Sequence, residues 1–308
     1  MKLVFMGTSD FAVPALKSLH ESKHKILRVF TKPPSKANRG QKLHKSAVHE
    51  AAEELGLDIS CPTSLKKPET IKELESLKAD IIVVVSYGHI LRKNVLEMYE
   101  NGCLNIHPSS LPRWRGAAPI ERTVLSGDRT TSLCIIKMDA GLDTGDIILS
   151  KDAGLQKNET SKSLSEKMAK LGAECIVEAL DNFKDFTPQK QLEEGMKYAE
   201  KISKDEGVIN WHDDAEKIDR MVRAFNPWPY CNFLFKGERV KLIEAESILT
   251  QEHGSKPGTI LDNRMTIACG KGTISPLILQ KPGKKPVNIK DFLNGAKIKP
   301  GEVLKYDI

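Results

Sequence analysis

Residues 80–85 read Asp-Ile-Ile-Val-Val-Val, and this run narrows the possible folds further than any other stretch. Five consecutive β-branched residues favour extended backbone. A strand with one face in water alternates apolar and polar residues. This one does not, so both of its faces must be covered, as in a parallel sheet with helices on either side. The surrounding sequence agrees. Strand-like runs at 2–6, 26–31, from Ile59, and at 103–106 alternate with helical spacings at 46–55 and 68–77 and with a helix through Leu96. A β-α-β alternation with right-handed crossovers makes an open, doubly wound sheet. A helix at 117–125, strands at 131–138 and 146–151, and a long helix at 161–183 with Leu164, Met168, Leu171, Cys175 and Leu180 on one stripe continue the pattern.

The character changes beyond that helix. Residues 186–207 are rich in Gln, Glu and Lys with few large apolar side chains, and are read as a linker. From 208 onward a helix at 215–224 precedes short runs at 232–235, 239–245, 258–261, 265–268 and 273–279. Gly and Pro turns at that spacing point to a small β-barrel. The expected organisation is α/β: a Rossmann-like, doubly wound, mostly parallel sheet in a catalytic domain at 1–185, a linker at 186–207, and an OB-like β-barrel domain at 208–308.

Candidate chemistry gathers between residues 105 and 143. Asn105 and His107 are separated by one residue. If 103–106 ends a strand, alternation points both side chains the same way, and Pro108, which has no N–H, stops the ladder. Both then stand at the carboxyl end of a strand, where open α/β sheets bind ligands. An amide beside an imidazole can donate hydrogen bonds to an oxygen that turns negative in a transition state. Asp143, in the turn GLDTGD, can orient or charge His107, or receive a proton through water. An Asn-x-His at a strand end is also a common cap, and an Asp beside glycines a common turn residue, so these three residues alone leave both readings open. The intervening SSLPRWRGAAPI, with two prolines and a Trp between two arginines, is more specific than a generic loop requires.

Two other stretches bear on partners. Residues 31–46 read TKPPSKANRGQKLHKS, with Lys32, Lys36, Arg39, Lys42 and Lys45; this is either a plain surface loop or a basic loop that grips phosphates. Lys281, Lys284, Lys285 and Lys290 cluster near the end of the expected barrel, as a solvated lysine face or as a nucleic-acid track. The net charge of +6 permits a polyanionic partner without requiring one. A glycine fingerprint is absent after the first strand, where only Gly7 stands, which disfavours a nicotinamide cofactor. The six cysteines form no C-x-x-C pair, so a reducing, cytoplasmic compartment and no metal site are expected. No stretch approaches a membrane span, and a strand beginning at residue 2 leaves no room for a targeting segment.

Taken together, NIHPSSLPRWRGAAPI followed by DAGLDTGD resembles the signature of the tetrahydrofolate-dependent formyltransferases, in the version that acts on a charged tRNA. FMGTSDFAVPAL at the start, TKPPSKANRGQKLHKSAV after the second strand and RAFNPWPY in the second half extend the resemblance over essentially the whole chain. It implies transfer of a formyl group from 10-formyltetrahydrofolate, as co-substrate, to the amino group of methionyl initiator tRNA, by a monomer and without metal. Asn105, protonated His107 and Asp143 would carry the reaction. Ser109, Ser110, Leu111 and Pro112 would present backbone and hydroxyl groups to the folate. Tyr87, Gly88, Ile90 and Leu91, at the carboxyl end of the strand at 80–85, can line a ligand pocket, here that of the folate. Arg39 and Lys42 would reach the acceptor end of the tRNA, and Lys281, Lys284 and Lys285 would hold its backbone. Three other readings compete: a different folate transformylase or formyl hydrolase sharing the same three residues, a non-catalytic RNA-binding protein, and a nicotinamide oxidoreductase. A formyl-transfer assay separates them.

Overall fold

The β-branched run becomes a strand at Ile81–Val85, buried along its whole length as its lack of alternation requires. A computed structural model of the chain describes residues 1–37, 42–249 and 253–304. The chain divides into two units, one made of Met1–Pro119, Thr130–Gly154 and Ser165–Ala199, the other of Ile120–Arg129, Leu155–Leu164 and Glu200–Ile308.

The strands of the first unit are β1 (Lys2–Gly7), β2 (Lys25–Phe30), β3 (Ser35–Ala37), β4 (Lys42–His44), β5 (Ile59–Ser60), β6 (Ile81–Val85), β7 (Cys103–His107), β8 (Arg113–Gly116), β9 (Thr130–Lys137), β10 (Asp146–Gly154) and β11 (Lys197–Ala199). Seven of them form one sheet in the order β10-β9-β7-β6-β1-β2-β5. Pairing is parallel from β5 through β7 and antiparallel at β7–β9 and β9–β10. The mostly parallel, doubly wound sheet expected from the sequence is therefore present. The chain winds outward from β1 through β2 and β5, then returns to β6 on the other side of β1. Sheets of this kind open a crevice at the carboxyl edge of such a switch point.

Helices α1 (Val13–Glu21), α2 (Ala47–Glu54), α3 (Pro68–Leu77) and α4 (Lys93–Leu96) lie between these strands, followed by α5 (Pro119–Ser126) and α6 (Ser161–Asp181). Their starts are set locally. The Ser46 hydroxyl accepts the His49 N–H at 3.0 Å and caps α2. Pro68 opens α3 at a position where a missing N–H does no harm. In α6, Gly172 lies against β7 and β9: a Cβ there would stand 2.8 Å from Ile106 Cγ2 and 3.3 Å from Leu133 Cδ1. Glycine lets the helix press onto the two strands behind the candidate site.

Two expectations are revised. The stretch 31–46, read as a loop, contains the small hairpin β3–β4; Arg39 lies outside the described residues, as does the side chain of Lys42. The stretch 186–207, read as a linker, contains β11, which pairs in parallel with β8, and Gln189, which exchanges two backbone hydrogen bonds with Ile147. These attachments are made by backbone and polar groups, so they leave no hydrophobic pattern in the sequence.

In the second unit, α7 (Ala215–Ala224) precedes β12 (Cys231–Phe235), β13 (Glu238–Ile248), β14 (Ile267–Ala268), β15 (Thr273–Gln280), β16 (Val287–Asn288) and α8 (Ile289–Gly295). The strands form one antiparallel sheet in the order β12-β13-β15-β14, with β16 also beside β15. Register shifts around Glu244 in β13 bend and twist the strand, as bulges do, and the sheet curls. Trp211, fully buried, meets Phe233 edge-on at 5.5 Å in its core. The run at 258–261, expected as a strand, makes only isolated bridges through Thr259 and Ile260. No helix among the described residues is long and apolar enough to cross a membrane.

The packing of α6 yields a stability test. Gly172→Val places two further methyl groups against Ile106 and Leu133, and overpacking of this kind costs roughly 1–3 kcal/mol. A urea titration will show a lower midpoint at an unchanged slope. An unchanged midpoint would mean that the helix yields freely.

Candidate active site

The site is built at the carboxyl ends of β6 and β7. Val84 pairs with Asn105, and His107 pairs with Cys134 of β9. Strand alternation sets Asn105 and His107 on one face, as the spacing predicted. Asn105 is half-buried, whereas His107 is 4% exposed. His107 Nε2 donates to the Trp114 carbonyl at 3.0 Å, because a carbonyl can only accept. Its other nitrogen, Nδ1, faces Asp143 Oδ2 at 3.6 Å. The same carboxylate oxygen accepts the Gly116 N–H at 2.9 Å. Strand β8 therefore holds both members of the His107–Asp143 pair, through one carbonyl and one amide.

Backbone conformation at the site is unusual. Trp114 and Asp143 have φ values of 66° and 53°, in the left-handed region that side chains with a Cβ rarely occupy. Such conformations persist where the surroundings over-determine them. Gly116, at φ 121°, answers a different constraint: a Cβ there would lie 2.9 Å from the Ala199 carbonyl oxygen. Only glycine lets β8 run this close to β11 while aiming its N–H at Asp143.

Two opposing effects set the charge on His107. Burial disfavours the imidazolium and is the larger effect; the Asp143 carboxylate and the Trp114 carbonyl favour it. The balance lies below the ordinary histidine value of 6.5. Burial thus weighs against the imidazolium, the form in which the resemblance has His107 act. The sequence showed the carboxylate but could not show how little water reaches the ring.

A second layer of contacts was not anticipated. Gln191 Nε2 donates to the carbonyls of Asp143 at 2.8 Å and Gly145 at 2.7 Å. Its Oε1 accepts from Arg115 Nε at 2.9 Å and Nη2 at 2.7 Å. Arg115 is buried. It stood in the most specific motif of the sequence, which was a usable signal; Gln191 stood in a polar stretch without any.

The residues expected around a folate divide by side chain and backbone. The Tyr87 ring is 2% exposed and packs in the core with Phe30, Leu65 and Leu74, and burial raises its phenol well above the ordinary range. Its carbonyl accepts the Thr8 hydroxyl at 2.8 Å across the switch point. Leu91 joins the same core. Gly88 is left-handed, and Ile90 is 88% exposed. Ser109 is fully buried and its hydroxyl donates to the Arg113 carbonyl at 2.8 Å. The Ser110 hydroxyl pairs with that of Ser132 at 2.7 Å. These hydroxyls hold the loop rather than face a ligand, and so do the N–H groups of Ser109 and Leu111, which donate to the His107 and Ser109 carbonyls at 3.0 Å; Leu111 and Pro112 remain half-buried.

The switch point opens into a cleft of about 510 Å³ bordered by Thr8, Ser9, Lys32, His44, Lys45 and His89. Lys32 and Lys45 come from the basic stretch, so its ends border the same sheet edge that carries Asn105. In the second unit, Lys281 lies 4.0 Å from Glu238 and over the Phe292 ring at 5.4 Å. Lys284 and Lys285 are exposed in the turn after β15.

A sheet of this topology brings together an amide, an imidazole and a carboxylate, groups that can serve an acyl transfer, and sequence comparison gives the family. The chain belongs to the formyl transferase family: the family described as formyl transferase matches residues 1–180, and formyl transferase, C-terminal domain, matches residues 201–297. Methionyl-tRNA formyltransferase of Rickettsia bellii is 46% identical over 297 residues, covering 96% of this chain and 97% of the relative. The Rickettsia felis protein of the same name is 45% identical over 305 residues, covering 99% and 100%. Among solved structures, the sugar 3N-formyl transferase WlaRD, determined with dTDP and 5-N-formyl-THF, superposes with a TM-score of 0.68 at 18% identity, over 92% of this chain and 99% of that one. Methionyl-tRNA formyltransferase from Clostridium thermocellum gives 0.58 at 20% identity, over 83% and 95%. At these identities the two structures show a shared fold.

The electrostatic balance can be measured directly. In histidine-labelled protein, His107 will titrate below 6.5 by NMR, and Asp143→Asn will move it lower still, because the variant removes a charge that favours the imidazolium. An upward shift in the variant would show that the carboxylate does not act on the ring.

Proposed function

We propose that the chain transfers a formyl group from 10-formyltetrahydrofolate to the amino group of methionyl initiator tRNA, in translation initiation. The observation that carries this reading is the His107–Asp143 pair beside Asn105 at the end of β7, in a chain of the formyl transferase family. The near full-length relatives bearing the methionyl-tRNA formyltransferase name support the choice of acceptor.

The residues of the chain divide the work. Asn105 donates its side-chain N–H to the formyl oxygen as that oxygen gains charge, and preorganised donors of this kind are worth most in a site with little water. His107, neutral at rest, takes at Nδ1 the proton that the attacking amine releases. The imidazolium so formed lies 3.6 Å from the Asp143 carboxylate, which stabilises it, and Asp143 keeps its place through the Gly116 N–H. The folate supplies the one-carbon unit at the formyl oxidation level; as the new amide forms, the bond from the formyl carbon to the folate nitrogen breaks, and that nitrogen takes the proton held on His107. Fit to a folate rests on the loop after β6, where Ile90 offers an exposed apolar surface near the left-handed Gly88, and on the loop of Ser109, Ser110, Leu111 and Pro112, whose last two residues are half-buried. A flat heteroaromatic ring with an amide-like edge needs that combination.

Residues 1–185 act as the catalytic domain and 208–308 as a tRNA-binding domain, in this reading. Lys281, Lys284 and Lys285 contact phosphates, and Arg39 and Lys42 place the charged 3′ end over the site. The protein works as a monomer in the cytoplasm.

The deciding assay is formylation of charged initiator tRNA with 10-formyltetrahydrofolate as donor and charged elongator tRNA alongside. Initiator tRNA will be formylated and elongator tRNA will not. Asn105→Ala and His107→Ala will each lower turnover by about a hundred-fold or more while leaving tRNA binding nearly intact. No formylation by the unaltered chain would overturn the proposed reaction, and near-normal turnover in either variant would remove that residue from it.

A further inference from the structure

We propose that Gln191 is a positioning residue: its side-chain amide clamps the turn carrying Asp143 to the strand carrying Trp114 and Gly116, and so sets the carboxylate beside His107. The inference rests on the formyl-transfer reading for its kinetic consequences.

The turn needs such a clamp. It runs out toward solvent, with Leu142 60% exposed, and it carries Asp143 in a left-handed conformation. Within itself it is held by Asp139 Oδ1, which accepts the Gly141 N–H at 3.0 Å and the Thr144 hydroxyl at 2.6 Å. Those bonds shape the turn but do not dock it. Gln191 docks it at two carbonyls, on either side of Thr144. Its remaining polar atom, Oε1, takes two N–H groups of buried Arg115. Arg115 stands between Trp114, whose carbonyl holds His107, and Gly116, whose amide holds Asp143. One amide thus ties together the two segments whose relative placement sets the 3.6 Å separation between His107 and Asp143.

The backbone around Gln191 fixes its own place. Gln189 exchanges hydrogen bonds with Ile147 at 2.8 and 2.9 Å. Tyr198 and Ala199 pair with Arg115 and Gly116. The chain from 189 to 199 is therefore attached to the Asp143 side at one end and to β8 at the other, with Gln191 bridging the two. The chemistry of the side chain is specific. Glutamate has the same shape and would bind Arg115, but it presents oxygen where two carbonyls require a donor. Alanine removes both arms of the bridge.

The test uses the full chain and the variants Gln191→Ala and Gln191→Glu, with circular dichroism confirming the fold. Both variants will lower kcat by about ten- to a hundred-fold, the scale expected when a reacting group is misplaced by roughly 1 Å. KM for tRNA and for folate will stay within about two-fold. The His107 titration, followed by NMR without substrates, will move down in Gln191→Ala as the carboxylate drifts from the ring. In an Asp143→Ala background, Gln191→Ala will cost nothing further, since residues acting through one group are not additive. Unchanged kcat in a folded variant, a change confined to KM, a fixed His107 titration, or a further loss in the Asp143→Ala background would each overturn the role. Should Gln191→Ala fail to fold, Gln191→Met, similar in length and uncharged, carries the same comparisons. Should the unaltered chain fail to formylate tRNA, the proposed reaction falls, and the His107 titration still decides whether Gln191 positions Asp143.

Discussion

The contact on which the site depends is the Asp143 carboxylate held between the Gly116 amide and the His107 ring. A half-buried carboxylate needs hydrogen bonds to offset the water it has lost. The backbone N–H of Gly116 supplies a charge-assisted bond, and that bond in turn fixes where the negative charge faces the imidazole. Because the Trp114 carbonyl occupies Nε2, the nitrogen left to gain or lose a proton is Nδ1, the one turned toward Asp143. Burial keeps that nitrogen unprotonated at rest, and the carboxylate makes its protonation less unfavourable than burial alone would. In the proposed reaction this arrangement accepts a proton instead of holding one beforehand.

Several parts of the fold surround this contact. The parallel strands β6 and β7 end together, which places Asn105 and His107 at the sheet edge. The switch from β5 back to β6 opens the adjoining cleft, bordered by Lys32 and Lys45. Helix α6, brought close by Gly172, backs β7 and β9. The remaining partner comes from beyond that helix, through β11 and Gln191. A long stretch of chain must therefore fold before the site is complete, although the reacting groups lie within residues 105–143.

What was legible in the sequence follows from periodicity. The run at 81–85 declared a buried parallel strand, and the alternation at Asn105 and His107 declared a shared face, because both depend on a repeat that a sequence records. Asp143 was legible through its motif. Other features were not, for physical reasons. Gln191, Arg115 and β11 are joined by polar contacts between distant segments, which impose no repeat. The hydroxyls of Ser109 and Ser110 were visible as donors, but their partners, Arg113 and Ser132, were not. Tyr87 and Leu91 follow a core strand and belong to the core themselves; proximity to the strand end had put them in a pocket. The charge on His107 turned on a contest between burial and a carboxylate, and only the extent of burial decides it.

If His107 and Asp143 act as one unit, their contributions to the chemical step are coupled. Single-turnover formylation of methionyl initiator tRNA, with chain in excess, isolates that step for the unaltered protein, His107→Ala, Asp143→Ala and the double variant. The double variant will react about as slowly as His107→Ala alone, because Asp143 has no imidazolium left to stabilise. Losses that multiply across the two positions would contradict it, and would show that the carboxylate serves the reaction by a route that does not pass through His107.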